Sequence, residues 1–90
     1  MKTKPKAYSN IGSYLKQCRT TLKISQKEVA KKVGYQSPQI LSNIERGAQS
    51  IPSKKLTKFV KAYKADAQKI FTILAETNRQ KLASDLKIKL

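Results

Sequence analysis

Residues 25–47 decide the fold, and they read SQKEVAKKVGYQSPQILSNIERG. Ser25 and Glu28 have the S-x-x-E spacing of a capping box, which predicts that a helix begins immediately after Ser25. Gly34 suits the left-handed backbone with which helices commonly end, and the serine–proline pair at 37–38 is typical of the start of the next helix. Two short helices joined by a tight glycine turn have the layout of a helix-turn-helix.

The second of these helices, predicted over Pro38–Arg46, has an apolar side and a polar side. The apolar positions, which should face the core, are Ile40, Leu41 and Ile44. The polar positions can all form hydrogen bonds and none is acidic: Gln39, Ser42, Asn43 and Arg46. Gln39 and Asn43 are four residues apart and share one face. Because their amides can form two hydrogen bonds with the edge of adenine, this face is typical of a helix that reads the major groove of DNA.

The charge of the chain favours a polyanionic partner. Among its 90 residues, 20 are Lys or Arg and 5 are Asp or Glu, which gives a formal net charge of +15 at pH 7. Such a chain would attract DNA, RNA or an anionic membrane surface. The membrane surface is the least favoured of the three, because the basic residues do not lie on one helix face opposite an apolar one.

Composition also argues against most enzyme and metal-binding classes. The chain has no histidine, and its single cysteine, Cys18, can form neither an intramolecular disulfide nor a zinc site. We therefore expect no enzyme activity, no catalytic residues, no metal and no cofactor. No apolar run approaches the ~20 residues of a membrane span, and no hydrophobic segment follows the basic N-terminus as in a secretory signal. The expectation is a cytoplasmic protein without membrane association.

Apolar residues at helical spacing continue on both sides of this region, so we predict an all-α, compact five-helix domain. In the first helix they are Ile11, Tyr14, Leu15, Cys18 and Leu22. A fourth helix, opened by Ser53, has Leu56, Phe59, Val60 and Tyr63 on one side. A fifth helix, capped by Asp66, has Ile70, Phe71, Ile73 and Leu74. Tyr14 and Tyr63 are expected to be core residues with their hydroxyl groups at the protein surface.

The two ends of the chain differ from the domain predicted over residues 10–74. Residues 1–9 form a predicted basic arm, which either wraps the duplex or is a loose tail. Residues 75–90 form a C-terminal extension whose leucines fit a helix, although residues 86–90 equally fit a strand. We interpret this extension as a dimerisation or protein-partner element.

Two pieces of the sequence, ISQKEVAKKVG and SNIERG, occur in this order and close together. They resemble the phage-repressor/Cro (XRE) family of helix-turn-helix proteins, whose fold is called lambda-repressor-like. The similarity covers roughly residues 11–74. The resemblance implies a five-helix domain that binds double-stranded operator DNA, usually as a homodimer.

The resemblance also implies roles for individual residues. Base contacts are expected from Gln26, Ser37, Gln39, Ser42 and Asn43. Phosphate contacts are expected from Gln26, Lys27, Gln36, Arg46, Lys54 and Lys55. Arg19 and Glu45 occupy positions that often form a structural ion pair. The turn after Gly34 is one residue longer than the commonest spacing and Pro38 has no donor, so Gln39 and Asn43 are the stronger base-contact candidates.

Three hypotheses of function remain open at this level. The leading one is a sequence-specific transcription regulator, acting as a repressor, that binds a palindromic operator with half-sites about 34 Å apart. The second is an antitoxin with the same fold that binds a toxin through residues 75–90. The third is a sequence-neutral packaging or RNA-binding protein, for which the net charge alone would suffice.

Overall fold

The computed structural model describes residues 8–87, and within that range all regular structure is helical. The α-helices are α1 (Ser9–Leu22), α2 (Gln26–Val33), α3 (Gln39–Glu45), α4 (Leu56–Tyr63) and α5 (Ala67–Asp85), with a 3-10 turn at Ser53–Lys55. The prediction of an all-α, five-helix domain is confirmed. Most of the predicted basic arm, residues 1–7, and the last three residues of the extension lie outside the described residues.

The predicted helix ends at Ser25, Gly34 and Asp66 are confirmed. The Ser25 hydroxyl accepts a hydrogen bond from the Glu28 backbone N–H, and the Glu28 carboxylate accepts one from the Ser25 backbone N–H, each at 3.1 Å. Gly34 ends α2 with φ = 97°, a backbone conformation that other residues rarely adopt. The Asp66 carboxylate accepts hydrogen bonds from two backbone N–H groups in the first turn of α5.

The predicted bounds of the third helix, Pro38–Arg46, are wrong by one residue at each end. Pro38 is the N-cap rather than the first helical residue, because its carbonyl accepts the first helical hydrogen bond, from Ser42 N–H at 2.9 Å. Ser37 is therefore not the cap. The turn between α2 and α3, which is one residue longer than usual, packs on the core through Tyr35. Its ring meets the Phe59 ring edge-on, with the ring centres 6.4 Å apart. This contact fixes the direction in which the chain enters α3.

All five helices contribute to one core. Its fully or nearly buried apolar residues are Ile11, Leu15, Val29, Ala30, Val33, Leu41, Ile44, Ile51, Phe59, Ala62, Tyr63 and Ile70. Gly12 lies where α1 crosses the end of α3, and a Cβ atom there would come within 2.5 Å of the Ile44 carbonyl oxygen. Because the two backbones touch, α1 holds the far end of α3 in one position.

The burial of three side chains adds to or corrects these expectations. Phe71, one of the apolar residues of the fifth helix, is 66% exposed, because α5 turns Ile70 and Thr77 inward and Phe71 points away. Ile40 is only half-buried. The Tyr63 side chain is completely buried and its hydroxyl is bonded to Glu45, so it is not at the surface.

The first part of the C-terminal extension is helical. Residues 75–85 continue α5 without a break, and Thr77 and Ala83 are buried there. The helical alternative is therefore correct for these residues, and the alternation typical of a strand lies mostly in residues that are not described. None of the helices between residues 8 and 87 is both long and apolar enough to cross a bilayer.

Candidate nucleic-acid interface

The short helix α3 is anchored on one side and polar on the other. Leu41 and Ile44 are completely buried. On the opposite side Gln39 and Arg46 are exposed, while Ser42 and Asn43 are half-buried. The single acidic residue of the helix, Glu45, is buried. A phosphate or base edge that approaches α3 therefore meets hydrogen-bonding groups and positive charge without an exposed carboxylate.

The polar side chains of α3 form a connected chain of hydrogen bonds. The Gln39 amide Nε2 donates to Asn43 Oδ1 at 3.1 Å, and Asn43 Nδ2 donates to Gln49 Oε1 at 3.3 Å. Arg46 donates to the same Asn43 oxygen through Nη2 and to the Ser42 backbone carbonyl oxygen through Nε. Asn43 is thus the junction at which the other groups meet, and its orientation sets theirs.

The Glu45 carboxylate lies behind this surface and joins four helices. Arg19 of α1 donates to both of its oxygens, at 2.8 and 2.9 Å. The Tyr63 hydroxyl of α4 donates at 2.8 Å, and Gln26 Nε2, in the first turn of α2, donates at 3.1 Å. The Glu45 side chain is only 2% exposed. The residues expected to form a structural ion pair therefore lie in direct contact at the centre of the helix-turn-helix.

The pKa values of this cluster follow from its geometry. Burial by itself would raise the pKa of the Glu45 carboxyl, but hydrogen bonds from Arg19, Tyr63 and Gln26 favour the charged form, and the pKa lies below its ordinary value of 4.5. Burial and the bond to Glu45 raise the pKa of the Tyr63 hydroxyl. At neutral pH, Glu45 is therefore a carboxylate and Tyr63 a neutral donor.

The other residues expected to contact DNA lie in α2, in the turn before α3 and in the 3-10 turn that follows it in the chain. Lys27, Gln36, Ser37 and Lys54 are exposed. Lys55 is half-buried, because its ammonium group lies 5.0 Å from the centre of the Tyr35 ring. Gln26 differs from these residues, since its amide is already bonded to Glu45.

Sequence analysis missed two residues of this surface. Gln49 belongs to the chain of amides, yet it lies beyond Gly47, where helical periodicity stops and gives no signal. Lys16 lines a shallow depression of about 370 Å³ with Ser25, Gln26 and Arg46. Lys16 faces outward in α1, and only the packing of α1 against α3 brings it to this surface.

The acidic residues and Cys18 are the other candidates for a chemical site among the described residues. Between residues 8 and 87, no three Cys, Asp or Glu side chains lie close enough together to hold a metal ion. Cys18 is a half-buried free thiol on α1. The polar surface around α3 is therefore the candidate site.

Comparison with known proteins agrees with this layout. A family model described as "HTH_3: Helix-turn-helix" matches residues 15–70. Two crystal structures of the clp gene regulator ClgR from Corynebacterium glutamicum share the fold. One has a TM-score of 0.65 and 24% identity, over 82% of this chain and 95% of that one. The other has a TM-score of 0.66 and 23% identity, over 94% of this chain and 90% of that one. No curated protein matches the chain.

Proposed function

This chain belongs to the XRE-type helix-turn-helix family of DNA-binding transcription regulators, and from that premise we propose that it is a sequence-specific repressor. It reads the major groove with α3 and the flanking residues Pro38 and Arg46. Base contacts come from Gln39 and Asn43, with Gln26, Ser37 and Ser42 beside them. We place this activity in the cytoplasm.

The observation that supports base reading is the division of α3 into a buried and a polar side. Two completely buried aliphatic residues fix the helix axis, and Glu45, which could repel DNA, is buried and paired with Arg19. The amides of Gln39 and Asn43 are linked to each other on the outer side. Side chains held in this way lose little freedom on binding, which favours recognition of one sequence over another.

Phosphate contacts surround this reading surface in the proposal. The N-terminal turn of α2 presents backbone N–H groups next to Gln26 and Lys27, as phosphate oxygens require. Gln36 lies in the turn before α3, and Lys54 and Lys55 follow the loop after it. Such contacts fix the register of the protein on the duplex and are insensitive to its sequence.

The experiment that tests the proposal begins with selection of bound sites from a random DNA pool. For the selected operator, Gln39→Ala should weaken binding by about 1–3 kcal/mol, roughly 5- to 150-fold, for each half-site, and leave random DNA almost unaffected. Lys54→Ala should weaken both alike. Affinities measured by fluorescence anisotropy at one salt concentration provide the comparison.

Gln80→Ala is the matched control, because Gln80 is an exposed glutamine in the C-terminal half of α5 and is not part of the proposed DNA-binding surface. It should change neither affinity. Failure to enrich any sequence, or equal losses on operator and random DNA for Gln39→Ala, would contradict sequence-specific reading. The sequence-neutral hypothesis would then be favoured.

We further propose that the protein binds a palindromic operator as a homodimer formed through α5. Large apolar side chains follow one side of this helix at helical spacing and form the α5 stripe: Phe71, Leu74, Leu82 and Leu86. Phe71, Leu82 and Leu86 are 59–66% exposed. Beside the stripe lies an apolar groove of about 550 Å³ between α4, α5 and Ile51. A stripe next to a groove is the self-complementary surface that a two-fold dimer needs.

Charge favours a second copy of this chain as the occupant of the stripe. Two molecules with a net charge of +15 repel each other over most of their surface. The cations of α5 lie elsewhere: Lys69 and Lys81 are over tyrosine rings, and Arg79 is paired with Glu76 at 3.5 Å. The α5 stripe is therefore a face on which two copies can meet without bringing unpaired lysines together.

Introducing charge on the α5 stripe tests this proposal. The double variant Phe71→Lys/Leu82→Lys should sediment as a monomer of about 10.1 kDa, whereas the wild-type protein should have twice that mass. Its affinity for the palindrome should fall much more than its affinity for a single half-site. Gln80→Lys adds the same kind of charge outside the stripe and should leave the dimer intact. A wild-type protein that stays monomeric when bound to its palindrome would refute the homodimer and leave the stripe to a partner protein.

A further inference from the structure

Arg46 and Gln49 together determine which way the amides of the reading surface point. A guanidinium group only donates hydrogen bonds, so the Asn43 atom that faces Arg46 must be the carbonyl oxygen Oδ1. The Asn43 nitrogen then faces Gln49, whose oxygen accepts from it at 3.3 Å. The donor at its oxygen and the acceptor at its nitrogen therefore hold Asn43 in one orientation together, although an isolated amide could take either orientation.

This orientation leaves different atoms free on Gln39 and Asn43. Gln39 uses one N–H to reach Asn43 Oδ1, which leaves its carbonyl oxygen and its second N–H for a ligand. Asn43 Oδ1 already accepts from both Gln39 and Arg46, and one of its N–H groups is given to Gln49. Asn43 retains a single free N–H, so it cannot present the donor–acceptor pair that adenine requires.

The atoms left on Gln39 match adenine. The N6 amine of adenine donates to a carbonyl oxygen, while its N7 accepts from an N–H. Guanine presents two acceptors at the same edge and would leave the Gln39 carbonyl without a donor. An amide held with one oxygen and one N–H facing outward therefore favours adenine over guanine, and the hydrogen bond to Asn43 supplies that restraint.

We propose that Gln49 is a specificity-determining residue that acts through Asn43 to hold Gln39 in the adenine-reading orientation. This inference rests on the proposed function. Gln49 is a positioning residue here: its oxygen keeps Asn43 from turning, and Asn43 in turn keeps Gln39 from turning. It lies outside the helix that makes the contact, in the loop between Gly47 and Ser53.

The test uses substitutions at Gln49 that separate charge from hydrogen-bond polarity. Gln49→Glu keeps an acceptor for Asn43 but adds a negative charge, so overall affinity should fall while the preference for adenine over guanine is kept. Gln49→Lys adds a positive charge but offers only donors, so overall affinity should rise while the preference falls by roughly fivefold. Gln49→Ala should reduce the preference in the same way as Gln49→Lys.

The operator base read by Gln39 is identified first, as the position at which base changes cease to matter in Gln39→Ala. Preference is the ratio of affinities for duplexes with adenine and guanine there, and a purine lacking the N6 amine should mimic guanine. In the Gln39→Ala background, none of the Gln49 substitutions should alter this ratio. Thermal unfolding of each variant separates loss of fold from loss of positioning.

Two negative outcomes are distinguishable. If wild-type protein does not distinguish a selected operator from random DNA, the proposed function fails and the role of Gln49 fails with it. If the wild-type protein discriminates and Gln49→Ala and Gln49→Lys keep the full preference for adenine, the positioning role is refuted while the proposed function stands.

Discussion

Replacing Glu45 with alanine is expected to lower the free energy of unfolding by about 3–5 kcal/mol. The substitution removes the acceptor for Arg19, Tyr63 and Gln26 at once and leaves a largely buried guanidinium without its counter-charge. The side chains of Arg19 and Glu45 are only 14% and 2% exposed, so water cannot replace the lost bonds easily. Urea denaturation at pH 7, followed by circular dichroism, measures the change.

Glu76→Ala is the matched control for Glu45→Ala. Glu76 pairs with Arg79 on α5 at 3.5 Å, but both side chains are about half exposed. Exposed pairs of this kind contribute about 0–1 kcal/mol. A loss from Glu45→Ala no larger than that from Glu76→Ala would show that the buried cluster does not hold the four helices together.

The same carboxylate makes stability depend on pH in one direction. The pKa of Glu45 is lower in the folded protein than its ordinary value of 4.5, so the folded state favours the charged form. The contribution of this carboxylate to the free energy of unfolding is complete above about pH 4.5. It is lost as the pH falls through the lower pKa of the folded state. Wild-type protein should therefore lose more stability than Glu45→Ala in this acid range.

Salt should have the largest effect on DNA binding. Four cations per chain are proposed to contact phosphate or to lie next to it, Lys27, Arg46, Lys54 and Lys55, which makes eight in a dimer. Eight contacts give a log–log slope of about −7, so raising salt from 50 to 200 mM should weaken binding by roughly 10⁴-fold. Random DNA should show a steep dependence as well, because phosphate contacts do not depend on sequence.

Single lysine substitutions test which lysines contribute to this slope. In the dimer, Lys54→Ala removes two contacts and should flatten the slope by about 2, whereas Lys61→Ala, an exposed lysine on α4, should leave it nearly unchanged. A wild-type slope near −2, or equal effects from Lys54 and Lys61, would contradict the proposed arrangement of phosphate contacts.

The parts of this fold that sequence analysis predicts are those set by local chemistry. The box at Ser25 and Glu28, the left-handed Gly34 and the cap at Asp66 each depend on residues a few positions apart. Their hydrogen bonds join residues close together in the chain, so the pattern in the sequence is enough to predict them. The same holds for the division of α3 into apolar and polar sides.

The missed features depend on distant parts of the chain. The Tyr63 hydroxyl is buried because Glu45 lies opposite it, and no spacing in the sequence connects the two. Phe71 fits a helical stripe, but α5 has two apolar sides and only one of them faces the core. The link from Asn43 to Gln49 joins a helix to a loop. Periodicity cannot detect contacts of these kinds.

The hydrogen-bonded chain along α3 also limits how the binding preference of such a protein can change during evolution or redesign. Gln39, Asn43, Arg46 and Gln49 each satisfy a neighbour, so replacing one leaves another with an unmatched donor or acceptor. A new target sequence is therefore reached most readily by exchanging the whole quartet together. The buried residues Leu41 and Ile44 need not change, so the same fold can carry other sets of four polar residues at these positions.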